Sequence, residues 1–201
     1  MRNLTSPTVH LRYEQPDDVG VIHQINRSAF GGRVEADLVD ALRAADAVVL
    51  SVVAVLGGRS QYGADVRRLD RSGMCTGDLV GGDIVGHALF SPVTVSSEEG
   101  EVELLGLGPV AVLPARQHSG IGTMLISGCL EHLRIRGSKG VVVVGELKYY
   151  RRFGFIPASR WSLRWETDEV PDENLLALEL TPGSLAGVSG IVRYRPEFNE
   201  G

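Results

Sequence analysis

The sequence predicts a single α/β domain, and three observations predict it. Residues 102–144 read strand, loop, helix, strand, for which a parallel crossover is the simplest connection. Residues 84–95 and 102–113 are strand-like and are joined by the polar turn Ser96-Ser97-Glu98-Glu99-Gly100, which is the pattern of an antiparallel hairpin. Finally, the chain has 201 residues with no repeat and no Pro/Ser-rich linker, so it reads as one domain, 1–201, with a core of its own.

Each element has a local cause. Residues 8–14 alternate as a strand, with Val9, Leu11 and Tyr13 on one side. Pro16-Asp17-Asp18 opens a helix, because proline tolerates the first turn and carboxylates there favour the helix dipole. Val21, Ile22, Ile25 and Ala29 recur at helical spacing until Gly31-Gly32 stops the run. A second helix over 34–45 places Leu38, Ala41, Leu42 and Ala45 on one face, and the β-branched run 48–55 reads as a buried strand. The pattern then breaks at about 57–82, a stretch of seven glycines, several charges and few apolar residues that reads as an inserted loop or flap. The hairpin follows. A helix over 120–136 presents broad apolar faces (Ile121, Leu125, Cys129, His132; Met124, Ile126, Leu130, Leu133) and is capped by Gly137. After the strand at 141–144 come a short helix at 149–153 and strands at 161–165, 175–180 and 190–194.

Composition narrows the function classes. The net charge of −5 and a pI near 5.5 argue against a polyanion binder, so no nucleic-acid partner is expected. No apolar run approaches the roughly 18 residues of a membrane span, and the N-terminus lacks the apolar stretch of a signal peptide. The expectation is a soluble, cytoplasmic protein without a membrane partner. Cys75 and Cys129 lie far apart with no CxxC or Cys/His surroundings, so they read as free thiols and no metal site is expected. There are 25 glycines, well above the usual share of about 7%.

The stretch 109–123, PVAVLPARQHSGIGT, carries the chemistry. A strand runs into a loop that ends in glycines at a helix start, so backbone N–H groups converge on the positive end of the helix dipole and form an anion site. Gly120 and Gly122 have no side chain to hold a phosphate away from those amides. The loop lacks the Lys-Ser/Thr of a P-loop and the third glycine of a dinucleotide fingerprint, which disfavours a mononucleotide-binding protein.

Val112-x-Pro114-x-x-Gln117-x-x-Gly120-Ile121-Gly122 resembles the acyl-CoA pyrophosphate loop of the GNAT superfamily of N-acetyltransferases. Tyr149-Tyr150-Arg151-Arg152-Phe153-Gly154-Phe155 resembles its later Tyr-x-x-x-Gly-Phe element. The two stand in the right order, separated by an apolar strand. Residues 34–42, 86–92 and 179–183 are similar to the bacterial YhbS-like branch of that superfamily. The resemblance covers the chain except 57–82, where the family has a short turn.

The resemblance implies a mixed, mostly antiparallel central sheet flanked by helices, with strands four and five splayed to admit a pantetheine arm. The residues give an independent reason for the splay, since Gly106, Gly108 and Pro109 interrupt strand four. The resemblance puts the backbone of Val110, Ala111 and Val112 at the pantetheine and the loop Gln117, His118, Ser119, Gly120, Ile121, Gly122 and Thr123 at the pyrophosphate. Tyr150, four residues before Gly154, becomes the general acid for the departing thiolate, and Tyr149 is assigned to packing. The usual base position falls on Gly106, leaving Glu103, with Glu101 and Glu146 as competitors, or a water relay. His87 and His118 are candidates by residue type, but a lone histidine in a strand or loop reads as structural. Trp161 and Trp165 either line the acceptor pocket or belong to core and rim. The implied activity is acetyl transfer from acetyl-CoA, as co-substrate, to a primary amine acceptor, and it is direct because no cysteine stands at a suitable motif position for an acyl-enzyme. A catalytically weak CoA-binding sensor or interaction module is the alternative. The oligomeric state stays open, a homodimer included.

Overall fold

The computed structural model describes residues 8–57, 59–60, 71, 74, 79–80, 82–167 and 170–199. Most of the inserted stretch at 57–82, and Cys75 with it, lies outside them. Alternating apolar residues build the sheet from four long strands: Val9–Tyr13 (β1), Leu50–Leu56 (β2), Asp83–Ser97 (β3) and Gly100–Val112 (β4), each antiparallel to the next. Gly140–Val144 (β5) lies parallel to β4. Shorter strands follow at Ile156–Pro157 (β6), Leu163–Trp165 (β7), Leu175–Glu179 (β8) and Gly190–Arg193 (β9). The order β1-β2-β3-β4-β5-β8-β6, with β9 antiparallel to β3 and parallel to β7, is the mixed, mostly antiparallel sheet expected. Within the insertion, Arg59–Ser60 and Leu79–Val80 form a separate two-stranded ladder, and Met74 is fully buried in the main core.

Helices cover both faces. Val19–Phe30 (α1) ends where Gly31, at φ 74°, donates its N–H to Arg27 O at 3.0 Å. Val34–Ala44 (α2) packs beside it, so that Ile22, Val39 and Leu42 meet Val53, Val55 and Leu89 of the sheet. Ile121–Ile135 (α3) covers the other face, against Val52, Ala54, Ala88, Phe90, Val141 and Val143. A Cβ at Gly86 would lie 3.0 Å from Leu125 and 3.2 Å from Ile121, so the bare β3 backbone lets α3 sit close. Fully burying side chains such as these contributes roughly 1.5–3 kcal/mol each. No helix among the described residues is long and apolar enough to cross a membrane.

On the α1/α2 face the core is divided. Leu89 belongs to the cluster under the helices, whereas Val93 and Val95, on the same face of β3 by strand alternation, pack with Leu104, Val142, Leu163 and Val192. Gly106 lies in the interval. β4 and β5 are in register only at Leu105↔Val141 and Gly106↔Val142 and part beyond that point. On its other edge β4 carries an extra residue, pairing Val110 with Ala88 and Leu107 with Phe90. The interruption therefore falls at Gly108 and Pro109, as expected, while Gly106 itself stays paired on both sides. Trp161 and Trp165 do not share a strand: Ala158–Trp161 is a 3-10 turn, ended by Ser162 in the left-handed region at φ 54°.

Candidate active site

The parting of β4 from β5 leaves a V-shaped gap whose vertex is Gly106↔Val142. Val110, Ala111 and Val112 form one lip, held on their far side by Ala88, His87 and Gly86 and without a β5 partner on the near side. At the mouth, Pro114–Arg116 makes a 3-10 turn. The Gln117 side chain reaches back to donate from Nε2 to Val112 O at 3.1 Å, and Ser119 Oγ donates to Arg116 O at 2.5 Å. These bonds, with His118 at φ 59° and Gly120 at φ 87°, turn the chain into α3. No side chain caps the helix, so its first-turn amides at Ile121, Gly122 and Thr123 have no intrahelical carbonyl to meet and carry the dipole's positive end. The loop residues singled out in the sequence are thus brought together with the strand-four lip.

Three tyrosines follow the gap from mouth to vertex. Leu147–Tyr150 (α4) and the 3-10 turn Arg151–Phe153 carry the first two. Tyr149 packs on the main core, as expected, and its hydroxyl is 3.1 Å from where a Cβ on Gly122 would stand, so the side chain also reaches the first turn of α3. Arg152 lies 4.7 Å from the Tyr149 ring centroid and donates to Tyr149 O at 3.0 Å, adding positive charge there. Tyr150 covers Gly145, where a Cβ would be 2.5 Å from its ring, and meets Phe155 at 5.6 Å. Burial, reinforced by the neighbouring Tyr149, pushes its phenol up to about 12.

The third, Tyr194, was not singled out in the sequence. It leaves the end of β9, opposite Val93, and its ring crosses the face of Gly106, where a Cβ would be 2.6 Å from Cε1. Its hydroxyl donates to Val142 O at 3.1 Å. One side chain therefore bridges β3, β4 and β5 at the vertex. Burial raises its pKa far above the usual phenol value, and Tyr150 raises it further, so Tyr194 is a neutral donor and not a base. Nothing local in the sequence marks this role, because it depends on β9 pairing with β3 about a hundred residues away.

The remaining candidates stand apart. Glu103 is exposed opposite Thr94, behind the vertex and on the Leu105 face of β4, so the structure does not bring it to the gap. Glu101, also exposed, accepts from Ser96 Oγ at 3.2 Å, and Glu146 is exposed at the start of α4. His118 is exposed in the loop. His87 is fully buried, with Nε2 3.0 Å from Ser51 Oγ and Nδ1 3.2 Å from Asn26 Nδ2. Desolvation, with the Arg43 charge, lowers it to about 3, so it is neutral and structural. Trp165 touches the site through Tyr194, at 5.3 Å between ring centroids. Cys129 is buried in α3 and its thiol is pushed up by burial.

The chain is similar in sequence and fold to known proteins. The model of the acetyltransferase (GNAT) family matches residues 51–155. The N-acetyltransferase YhbS of Escherichia coli K12 is 30% identical over 191 residues, covering 94% of this chain and 98% of its own. The N-acetyltransferase YjhQ of the same strain is 32% identical over 144 residues, 71% of this chain and 66% of its own. The crystal structure of E. coli YhbS in complex with CoA superposes with a TM-score of 0.79 at 26% identity, covering 100% of this chain and 97% of that one. A GNAT family acetyltransferase from Brucella melitensis in complex with acetyl-CoA gives a TM-score of 0.67 at 34% identity, over 95% and 98%.

Proposed function

Because the chain belongs to the GNAT family of acetyl-CoA-dependent acyltransferases, we propose that it moves an acetyl group from acetyl-CoA to a primary amine, of a small molecule or a peptide, by direct transfer. The observation that carries this reading is the gap between β4 and β5 leading to the glycine-capped amides of α3. Pyrophosphate oxygens accept from the Gly120, Ile121, Gly122 and Thr123 amides, within the loop that Gln117, His118 and Ser119 shape. The pantetheine amides pair along Val110, Ala111 and Val112, whose near edge lacks a β5 partner.

The amine, neutral, adds its lone pair to the thioester carbon. A C–N bond forms, the carbonyl electrons move to oxygen, and the adduct collapses with loss of the C–S bond. Tyr150 donates to the departing sulfur, and the surplus ammonium proton leaves to water. With its phenol held at about 12, Tyr150 keeps its proton at neutral pH and can donate. A CoA-like thiol near 8.5 is the stronger acid of the two, so the phenol supplies chiefly a hydrogen bond while negative charge develops. Water serves as the base in this reading, given the exposed position of Glu103. The buried Cys129 favours direct transfer over an acyl-enzyme.

The test is release of free CoA thiol from acetyl-CoA in the presence of small alkylamines, peptides with a free α-amine, and lysine peptides. Acceptor-dependent release is expected. The second reading, a CoA-binding sensor with weak catalysis, is favoured by the exposure of Glu103. It takes over if calorimetry detects acetyl-CoA binding while the whole panel gives no release.

A further inference from the structure

An extended arm anchored by its phosphates at α3 and laid along β4 points its thioester end at the vertex. The parted edge runs from Gly106 to Val112, six residues or about 20 Å of strand. What closes the vertex is a side chain. The Tyr194 ring lies over Gly106, its Cε1 2.6 Å from where a Cβ would be, and its hydroxyl holds Val142 O at 3.1 Å. It is braced by Phe198, 4.8 Å away between centroids, and by Trp165 at 5.3 Å. Phe198 in turn packs on the cluster beneath α2. The ring has two flexible angles and both are fixed by these contacts, so the wall does not yield as a methionine or leucine would.

We propose that Tyr194 ends the acyl pocket and restricts the enzyme to short acyl groups, with Gly106 as the gap in the strand that lets the ring reach across. The inference rests on the assignment of the gap to acyl-CoA. Its hydroxyl is already committed to Val142 O, so the ring offers the acyl terminus carbon and not a free polar group. A two-carbon acyl group stops short of the wall and longer chains meet it. A methylene that a pocket refuses is worth roughly a factor of 10 or more in discrimination.

The test needs no acceptor. Dissociation constants of CoA, acetyl-CoA, butyryl-CoA and hexanoyl-CoA are measured by calorimetry on the full chain and on Tyr194→Leu and Tyr194→Phe, with folding checked by circular dichroism. For the wild-type chain and for Tyr194→Phe, which keeps the ring, affinity should fall at least about tenfold from acetyl- to hexanoyl-CoA. In Tyr194→Leu the fall should shrink to about threefold or less. Equal affinity for acetyl- and hexanoyl-CoA in the wild-type chain overturns the proposal by itself, whether or not a variant folds. So does unchanged discrimination in folded Tyr194→Leu. If the wild-type chain binds neither CoA nor acetyl-CoA, the assignment of the gap is what fails, and the acyl limit falls with it.

Discussion

The hydroxyl of Tyr149 stands 3.1 Å from the point a Cβ on Gly122 would occupy, which joins the end of α4 to the first turn of α3. A methyl group there has to push the phenol outward by a few tenths of an ångström, against a ring braced by Phe153 at 5.7 Å and by Arg152. It also raises the floor on which a pyrophosphate would rest. Gly122→Ala should leave the melting temperature unchanged or slightly raised, since alanine suits a helix better than glycine by roughly 1 kcal/mol. CoA affinity should fall about tenfold, equivalent to about 1.4 kcal/mol. Calorimetry with CoA beside a thermal melt separates the two effects, and an unchanged affinity would remove Gly122 from the phosphate site.

Gly106→Ala should behave in the opposite way. Its Cβ would stand 2.6 Å from Tyr194 Cε1 and 2.7 Å from Val93 Cγ2, one just past the end of β9 and the other on β3, which β9 pairs. Overpacking of this kind destabilises by typically 1–3 kcal/mol. For a chain of this size, that is a loss of several degrees in melting temperature. Pairing with Tyr194→Leu should recover part of the loss, because the smaller side chain vacates the contact. Additive losses in the double variant would mean that the two residues do not oppose each other.

These two glycines show which parts of the site were legible in sequence. Gly122 sits in a motif whose purpose follows from local physics: a strand, a tight loop and uncapped helix amides lie within fifteen residues of chain. Gly106 reads as a break in strand four, yet it stays paired on both sides, and its reason lies with Tyr194, which reaches it only because β9 pairs with β3 at Thr94, Val95 and Ser96. The long strands and helices were legible for the same reason as the loop, because periodic apolar residues report the face they bury. Trp161 falls outside the strand that its alternation with Trp165 suggests, because the break after Pro157 and the left-handed Ser162 are set by the connection between β6 and β7. Tyr149 packs as its place in the chain suggests, but its reach to Gly122 is not legible there, because adjacency to Tyr150 says nothing of what lies across the gap.

His87 makes stability depend on pH. It is neutral in the fold, with Nε2–H donating to Ser51 Oγ and Nδ1 accepting from Asn26 Nδ2, while Ser51 in turn donates to Glu14. Desolvation, then the Arg43 charge, lowers its pKa from 6.5 to about 3. Between those values the unfolded chain binds a proton that the folded chain refuses. Its contribution is therefore complete above about pH 6.5 and is lost as pH falls toward 3, at about 1.4 kcal/mol per pH unit within the window. Urea midpoints at pH 7, 5 and 4 should fall in that order. His87→Gln, which keeps a donor for Ser51 and an acceptor for Asn26, should flatten the dependence. Parallel curves for the two proteins would assign the acid sensitivity to other groups.

The size of the Tyr150→Phe effect decides what the phenol contributes. A charge-assisted hydrogen bond to a departing thiolate is worth about 1.5–3 kcal/mol, which is roughly 10- to 150-fold in kcat. Full proton transfer in the rate-limiting step reaches roughly 100- to 10,000-fold. With the phenol pushed up to about 12 by burial and by Tyr149, the smaller range is expected, with little change in the calorimetric affinity for acetyl-CoA. The same value predicts that kcat shows no loss from phenol ionisation below about pH 10. Stability, by contrast, should decline between pH 10 and 12, where the unfolded tyrosine gives up its proton before the folded one does. Tyr150→Phe removes that part of the decline. A rate loss beyond a thousandfold would point to proton transfer at the rate-limiting step, and an unchanged kcat would take Tyr150 out of the reaction.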